Sequence, residues 1–320
     1  MLVDLFWVAI GIVLLVVAGD ALVKGAVNLA LRLGIPPLVV GLTVVAFGTS
    51  APELLVSIKA VLQGAPGLAL GNVVGSNIAN VFLVLGIPAL IHTLHTSRVD
   101  TKQSYITMLM GSALFAGLAF LGTFTWVSGL ALLAGLAFML WQSYTHAANH
   151  RAGKAEEEEP EGADPCMSGW KIAAYLLAGI VGLPLGADFL VDASVDIARV
   201  LGVSEAVIGL TLVAIGTSLP ELATTVMAAI RRSADVALGN VIGSNVFNLL
   251  AIIGITSLVG PLPVPREMLS FDIWVMLAAS LCLIPFVLFR RDITRGVGLT
   301  FTGVYLAYLV VLTVWGGSHG

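Results

Sequence analysis

The chain has 320 residues, 58 % of them apolar and only 11 % charged, with a mean hydropathy of +1.02. A soluble domain carries about 25 % charged residues, so this composition excludes an ordinary soluble enzyme. With a net charge of −4, no nucleic-acid partner is expected either, since such surfaces are basic.

The length leaves room for about ten membrane spans of roughly 20 residues. The first apolar run predicts a span near 5–24. It carries Asp4 instead of a basic leader, and it stays apolar past position 17. It is therefore read as a mature helix, not a signal peptide. Spans follow near 37–62, 68–91, 104–121 and 126–146, completing a first half over 1–146. The stretch 147–169 is hydrophilic and contains Glu156 to Glu159, Glu161 and Asp164. At about 23 residues it is too short for a folded regulatory domain, and it reads as an acidic linker. The second half, 170–320, holds spans near 170–198, 206–230, 236–258, 270–288 and 296–315. The first span of each half is expected to run on as a long tilted helix.

Basic residues orient this array. With an outside N-terminus, inside loops receive Arg32, Arg98, Lys102, Arg151, Lys154, Lys171, Arg231, Arg232, Arg290, Arg291 and Arg295. Outside loops receive Arg199 and Arg266, with Lys59 near an outer helix end and Lys24 inside the first span. Positive residues favour the cytoplasm, so both termini lie outside and the linker is cytoplasmic. Five spans per half is an odd number, which inverts the second half relative to the first.

The chain carries one polar cassette twice. Residues 48–53 read Gly-Thr-Ser-Ala-Pro-Glu and 216–221 read Gly-Thr-Ser-Leu-Pro-Glu. Residues 71–80 read Gly-Asn-Val-Val-Gly-Ser-Asn-Ile-Ala-Asn and 239–248 read Gly-Asn-Val-Ile-Gly-Ser-Asn-Val-Phe-Asn. The offset is constant, since 216 − 48 and 239 − 71 both give 168. It extends through Asp20/Asp188, Gly34/Gly202 and Gly86/Gly254. Polar groups are costly in lipid, so they face a protein interior or a wet cavity.

Proline lacks an N–H and clashes with the carbonyl four residues earlier. Pro52 therefore frees the carbonyl of Gly48 and Pro220 that of Gly216, predicting broken helices. Thr49 and Ser50 lie four and three residues before Glu53 and can share its face. Thr217 and Ser218 stand likewise to Glu221. Asn72, Ser76 and Asn80 recur every four residues along one face, as do Asn240, Ser244 and Asn248. Inverted halves bring both acids and both stripes together near the bilayer midplane. The donor set is all oxygen and flexible, which suits a hard cation such as Ca²⁺ better than Mg²⁺. Without thiolate or imidazole nearby it does not suit Zn²⁺ or Cu⁺.

These motifs resemble the two α-repeats of the sodium/calcium exchangers, within the cation/Ca²⁺ antiporter superfamily. The resemblance covers nearly the whole chain and is nearest to the compact prokaryotic type. It implies an all-α membrane protein of ten transmembrane helices in two inverted five-helix repeats. It implies a secondary active transporter, not an enzyme, which exports Ca²⁺ in exchange for Na⁺ by alternating access, with no cofactor. Glu53 and Glu221 would be the central ligands shared by Ca²⁺ and Na⁺. Thr49, Ser50, Thr217, Ser218, Ser76 and Ser244 would add hydroxyl or carbonyl oxygens. The carbonyls of Ala46 and Ala214 would line the outer and inner Na⁺ positions, and Asn80 and Asn248 the middle. The first and sixth helices would slide against the core. Some prokaryotic exchangers and the potassium-dependent branch have Asp where this chain has Asn248; the symmetric Asn80 and Asn248 are similar to the potassium-independent branch, so K⁺-independent exchange is expected.

The rival readings are an H⁺-coupled antiporter of the same fold and, in a different class, a cation channel. The cell or inner membrane is the expected location, with the bilayer as partner, and a monomer with no obligate protein partner is expected. Asp20 and Asp188 are expected to cap, pair or line a vestibule. His92, His95, His146 and His150 read as interfacial or loop residues, and Glu156 to Glu159 as a solvated run. Cys166 in the linker and Cys282 in a span imply no disulfide framework.

Overall fold

The computed structural model describes residues 2–150, 163–202 and 214–316. The first half consists of α1 (Leu2–Leu33), α2 (Pro37–Thr49), α3 (Ala51–Leu62), α4 (Pro66–Ile91), α5 (Lys102–Ala119) and α6 (Trp126–His150). The second consists of α7 (Gly169–Val200), α8 (Ala214–Gly216), α9 (Leu219–Ile230), α10 (Ala234–Val259), α11 (Met268–Val287) and α12 (Arg295–Gly316). Seven of these helices are long and apolar enough to cross a bilayer. The pair α2 and α3, bent by 42°, makes an eighth span. α5 and α9 occupy the two remaining predicted spans. The start of the second of these, 206–213, lies outside the described residues, as do Arg151, Lys154 and the acidic run from Glu156 to Glu161.

α1 and α7 are each 32 residues long, about 48 Å at 1.5 Å per residue. Both exceed the ~30 Å hydrocarbon core, as expected of long tilted helices. They pack antiparallel, because partners on one descend in number as those on the other rise. Gly11 lies against Gly186 and Leu190, Ala18 against Gly182, Leu22 against Gly179 and Gly25 against Leu176. Small residues permit this approach, as is common between membrane helices. A Cβ on Gly179 would stand 2.5 Å from the Cβ of Leu22. Gly11 with Leu190 and Gly179 with Leu22 are the same contact at an offset of 168, so the two halves are related by inversion.

The repeat reaches the backbone. All six positive-φ residues among those described pair at 168: Gly34 (63°) with Gly202 (79°), Gly64 (74°) with Arg232 (55°), and Gly122 (87°) with Arg290 (49°). The halves are also tied by short antiparallel pairings. Thr123–Phe124 (β1) pairs with Leu262–Pro263 (β2), Phe124 opposite Leu262. Leu94, the repeat mate of Leu262, bridges Ile293.

Burial runs from the centre outward. In their most apolar stretches α4 is 78 % and α10 89 % buried, against 22 % for α1 and 28 % for α7. The central pair therefore carries the polar stripes in the interior, and the peripheral helices turn Leu, Val and Phe outward. Near its end α1 also meets the end of the linker and the start of α7. The Asn28 Oδ1 accepts from the Asp164 N–H at 2.8 Å, and Lys24 Nζ lies 3.3 Å from the Tyr175 hydroxyl.

Candidate cation site

Both cassettes break their helix at the same residue. Ser50 has φ −86° and ψ 3°, and Ser218 has φ −91° and ψ 3°, a sparsely allowed region that ends a helix. Pro52 and Pro220 fall in the first turn of α3 and α9, where a missing N–H costs least. Glu53 and Glu221 occupy the same first turns. The positive end of each helix dipole therefore favours the carboxylate. Each acid is only 1 % exposed.

Three matched pairs of hydrogen bonds hold the breaks in place. Thr49 donates to Asn240 Oδ1 at 3.1 Å, and Thr217 donates to Asn72 Oδ1 at 3.3 Å. The amide of Asn72 then donates to the Glu53 carbonyl (3.5 Å) and to Ser57 Oγ (3.3 Å). The amide of Asn240 does the same to the Glu221 carbonyl (3.3 Å) and to Thr225 Oγ1 (3.1 Å). Each asparagine therefore joins one cassette's threonine to the other cassette's acid-bearing helix. Ser57 and Thr225 are absent from the sequence-level site, although the offset of 168 relates them.

The predicted residues do not all stand alike. Glu221 Oε1 accepts from Ser50 at 3.1 Å. Ser244 Oγ lies 3.4 Å from Thr49 Oγ1. The carbonyl of Ala46 accepts from the Ser50 N–H (3.0 Å) and lies 3.3 Å from Thr49 Oγ1. Ala214 opens α8, and its side chain lies outside the described residues. Among described residues, eleven buried side-chain nitrogen or oxygen atoms lack a hydrogen-bond partner, and eight belong to the predicted site. They are both oxygens of Glu53, Oε2 of Glu221, Ser76 Oγ, Ser218 Oγ, Asn80 Oδ1, and Oδ1 and Nδ2 of Asn248. Leaving one such group unmet costs about 1–3 kcal/mol, and more when it is charged. A cluster of them points to a ligand as the missing partner.

Asn80 and Asn248 sit on matched π-helical turns, Asn80–Val84 and Phe247–Ile252. Such turns are rare and recur at functional sites. Sequence carried no signal for them. Their surroundings also differ: Asn80 donates to Asn245 Oδ1 at 3.0 Å, whereas neither polar atom of Asn248 has a partner among the described residues.

Other candidates fall elsewhere. Asp20 forms an ion pair with Arg231, with Nη2 at 2.6 Å, while Asp188 makes no ion pair among the described residues. His95 Nδ1 lies 2.9 Å from Asp292 Oδ2. The side chains of His146 and His150 lie outside the described residues. Cys166 and Cys282 are free and exposed.

The sodium/calcium exchanger protein family profile matches residues 3–145 and 171–314. The chain is similar to the sodium/calcium exchanger MaX1 of Methanosarcina acetivorans, 38 % identical over 95 % of this chain and 96 % of that protein. It is also similar to the inner membrane protein YrbG of Escherichia coli, 33 % identical over 95 % of this chain and 94 % of that one. The fold is similar to that of the sodium-calcium exchanger NCX_Mj soaked with 2.5 mM Na⁺ and 0.1 mM Ca²⁺. That match has a TM-score of 0.83 and 31 % identity, and covers 98 % of this chain and 99 % of that one.

Proposed function

The chain belongs to the sodium/calcium exchanger family, and on that premise we propose that it exports Ca²⁺ in exchange for inward-moving Na⁺. It is a multi-pass membrane protein of an exchanger family, and the direction, coupling ion and ligands are our reading. The observation that carries it is the cluster of unpartnered buried atoms around Glu53 and Glu221. Seven of the eight are oxygens, in keeping with the about six to eight oxygen ligands that Ca²⁺ takes. Two carboxylates balance one divalent ion or two monovalent ions. Either load lowers the cost of carrying the site through the dielectric barrier, and the empty, doubly charged site is the costly state. That difference couples the two fluxes.

In this reading Glu53 and Glu221 bind the ion directly. Ser76, Ser218, Asn80 and Asn248 complete the shell, and Thr49, Ser50, Thr217 and Ser244 orient it or lend oxygens. The carbonyls of Ala46 and Ala214 flank it. The repeats are assigned to 1–146 and 170–320, with 147–169 as cytoplasmic linker, both termini outside and the cell's inner or plasma membrane as location. Asn248 in place of an acid supports exchange without K⁺.

Ca²⁺ uptake into Na⁺-loaded proteoliposomes tests this. Uptake should require the Na⁺ gradient and vanish in Glu53→Ala and Glu221→Ala. Uptake driven by a pH gradient alone would assign the coupling to H⁺ instead, and currents far above carrier turnover would assign a channel.

A further inference from the structure

α11 is interrupted at Cys282 and Leu283 before its last turn, Ile284–Val287. The gap opens a groove of about 860 Å³ between α11 and the start of α12, lined by Leu281, Cys282, Pro285, Val297, Thr300 and Phe301 among others. The groove is almost wholly apolar, and it faces outward from a membrane protein. Three exposed arginines adjoin it in sequence: Arg295 stands between the lining residues Thr294 and Gly296, and Arg290 and Arg291 lie in the turn that joins α11 to α12. None has a carboxylate partner among the described residues. The nearest acid in sequence, Asp292, is already held by His95 Nδ1 at 2.9 Å and the Ser97 N–H at 3.0 Å. Arg295 donates to the Ile91 carbonyl at 3.3 Å.

The repeat counterparts of these arginines, on the opposite membrane side of the inverted first half, carry no charge. The first half has Gly122, Thr123 and Val127 at the positions matching Arg290, Arg291 and Arg295. Both Gly122 (φ 87°) and Arg290 (φ 49°) adopt the left-handed region, which glycine tolerates and an arginine does not favour. The second half thus keeps a cation where glycine would relax the turn. Polybasic clusters at a membrane boundary attract anionic headgroups, and here the cluster adjoins a hydrocarbon-lined groove.

We propose that this groove binds one anionic phospholipid, its headgroup phosphate on Arg290, Arg291 and Arg295 and an acyl chain between α11 and α12. The test is native mass spectrometry of the full chain in detergent, titrated with palmitoyl-oleoyl phosphatidylglycerol or with phosphatidylcholine of the same chains. Phosphatidylglycerol should be retained preferentially, and each of Arg290→Gly, Arg291→Gln and Arg295→Gln should weaken its retention about five-fold. Arg290→Gly should keep or raise the lipid-free thermal midpoint, which separates lost binding from misfolding. Thr300→Trp, filling the groove with the arginines intact, should also lower retention. Equal retention of both lipids by the parent would overturn the proposal. So would unchanged retention in the triple variant or in Thr300→Trp. Displacement of the lipid by millimolar inorganic phosphate would assign the arginines to a free anion and overturn it too.

Discussion

Arg231, at the end of α9, grips Asp20 of α1 through both Nε and Nη2, at 2.7 and 2.6 Å. The pair ties a long peripheral helix to the helix that carries Glu221. Its repeat counterpart cannot form, because Asp188 is matched by Gln63 where Arg231 would be needed. The bridge therefore acts on one side of an otherwise symmetric carrier. With side chains 38 % and 18 % exposed, solvent screening limits it to about 0.5–1 kcal/mol. Asp20→Asn should shift the ratio of apparent Ca²⁺ affinities at the two membrane faces by about two- to five-fold. The charge swap Asp20→Arg with Arg231→Asp should restore it. An unchanged ratio in sided vesicles would remove the bridge from the mechanism.

Glu53 and Glu221 predict opposite changes in stability and function. Both oxygens of Glu53 lack partners among the described residues, whereas Glu221 already accepts from Ser50. In ion-free buffer Glu53→Gln should stabilise the protein by about 1–3 kcal/mol, by removing an uncompensated buried charge. Glu221→Gln should gain less. Saturating Ca²⁺ stabilises a binding protein by about 2.7 kcal/mol at 100 times Kd, and both variants should lose that increment along with exchange. Thermal unfolding with and without Ca²⁺ measures each quantity. Retention of the Ca²⁺ increment in Glu53→Gln would exclude that residue as a ligand.

Asp292 predicts an effect of acid on stability. Partial burial pushes its carboxyl up, but hydrogen bonds from the Ser97 side chain and backbone and from His95 outweigh this and hold it below the usual aspartate range. The folded value is depressed, so the stabilisation is present above the unfolded pKa of about 3.9. It is lost as pH falls from there through the folded value. The pair adjoins the Leu94–Ile293 bridge between the halves. Asp292→Asn should therefore flatten the dependence of the thermal midpoint on pH below about 4 and leave Na⁺-dependent uptake at pH 7 intact. An identical acid limb in the variant and the parent would rule this out.

Much of this arrangement is legible before any coordinates. Apolar runs bounded by Gly, Pro and basic residues mark the spans, and five spans per half predict the inversion that the α1–α7 contacts display. The same offset separates Arg231 from Gln63, which is why one matched aspartate is bridged and the other is not. The π-helical turns at Asn80 and Phe247 were not legible, because one added residue per turn leaves no compositional mark. Nor was the inequality of Asn80 and Asn248, which are identical residues in identical motifs. It arises from their neighbours: Asn245 accepts from Asn80, while its repeat mate Asn77 turns back to donate to Val73 of its own helix at 2.7 Å.

That inequality separates two substitutions which look equivalent in sequence. Asn248→Asp places a third carboxylate where no hydrogen bond to a described residue is lost, since neither Asn248 polar atom has a partner among them. Ca²⁺ binding should survive, while the extra charge changes how many Na⁺ ions, or whether K⁺, must accompany the return step. Asn80→Asp removes the donor to Asn245 Oδ1 and sets oxygen against oxygen in a buried site. It should cost about 1–3 kcal/mol of stability and weaken Ca²⁺ binding as well. Ca²⁺ uptake measured against Na⁺ concentration, with and without K⁺, distinguishes the two. Asn248→Asp should shift the Na⁺ dependence or create a K⁺ response at near-parental Ca²⁺ affinity, and Asn80→Asp should lower affinity and thermal midpoint together. Transport and K⁺ response identical to the parent in Asn248→Asp would remove that residue from ion selection.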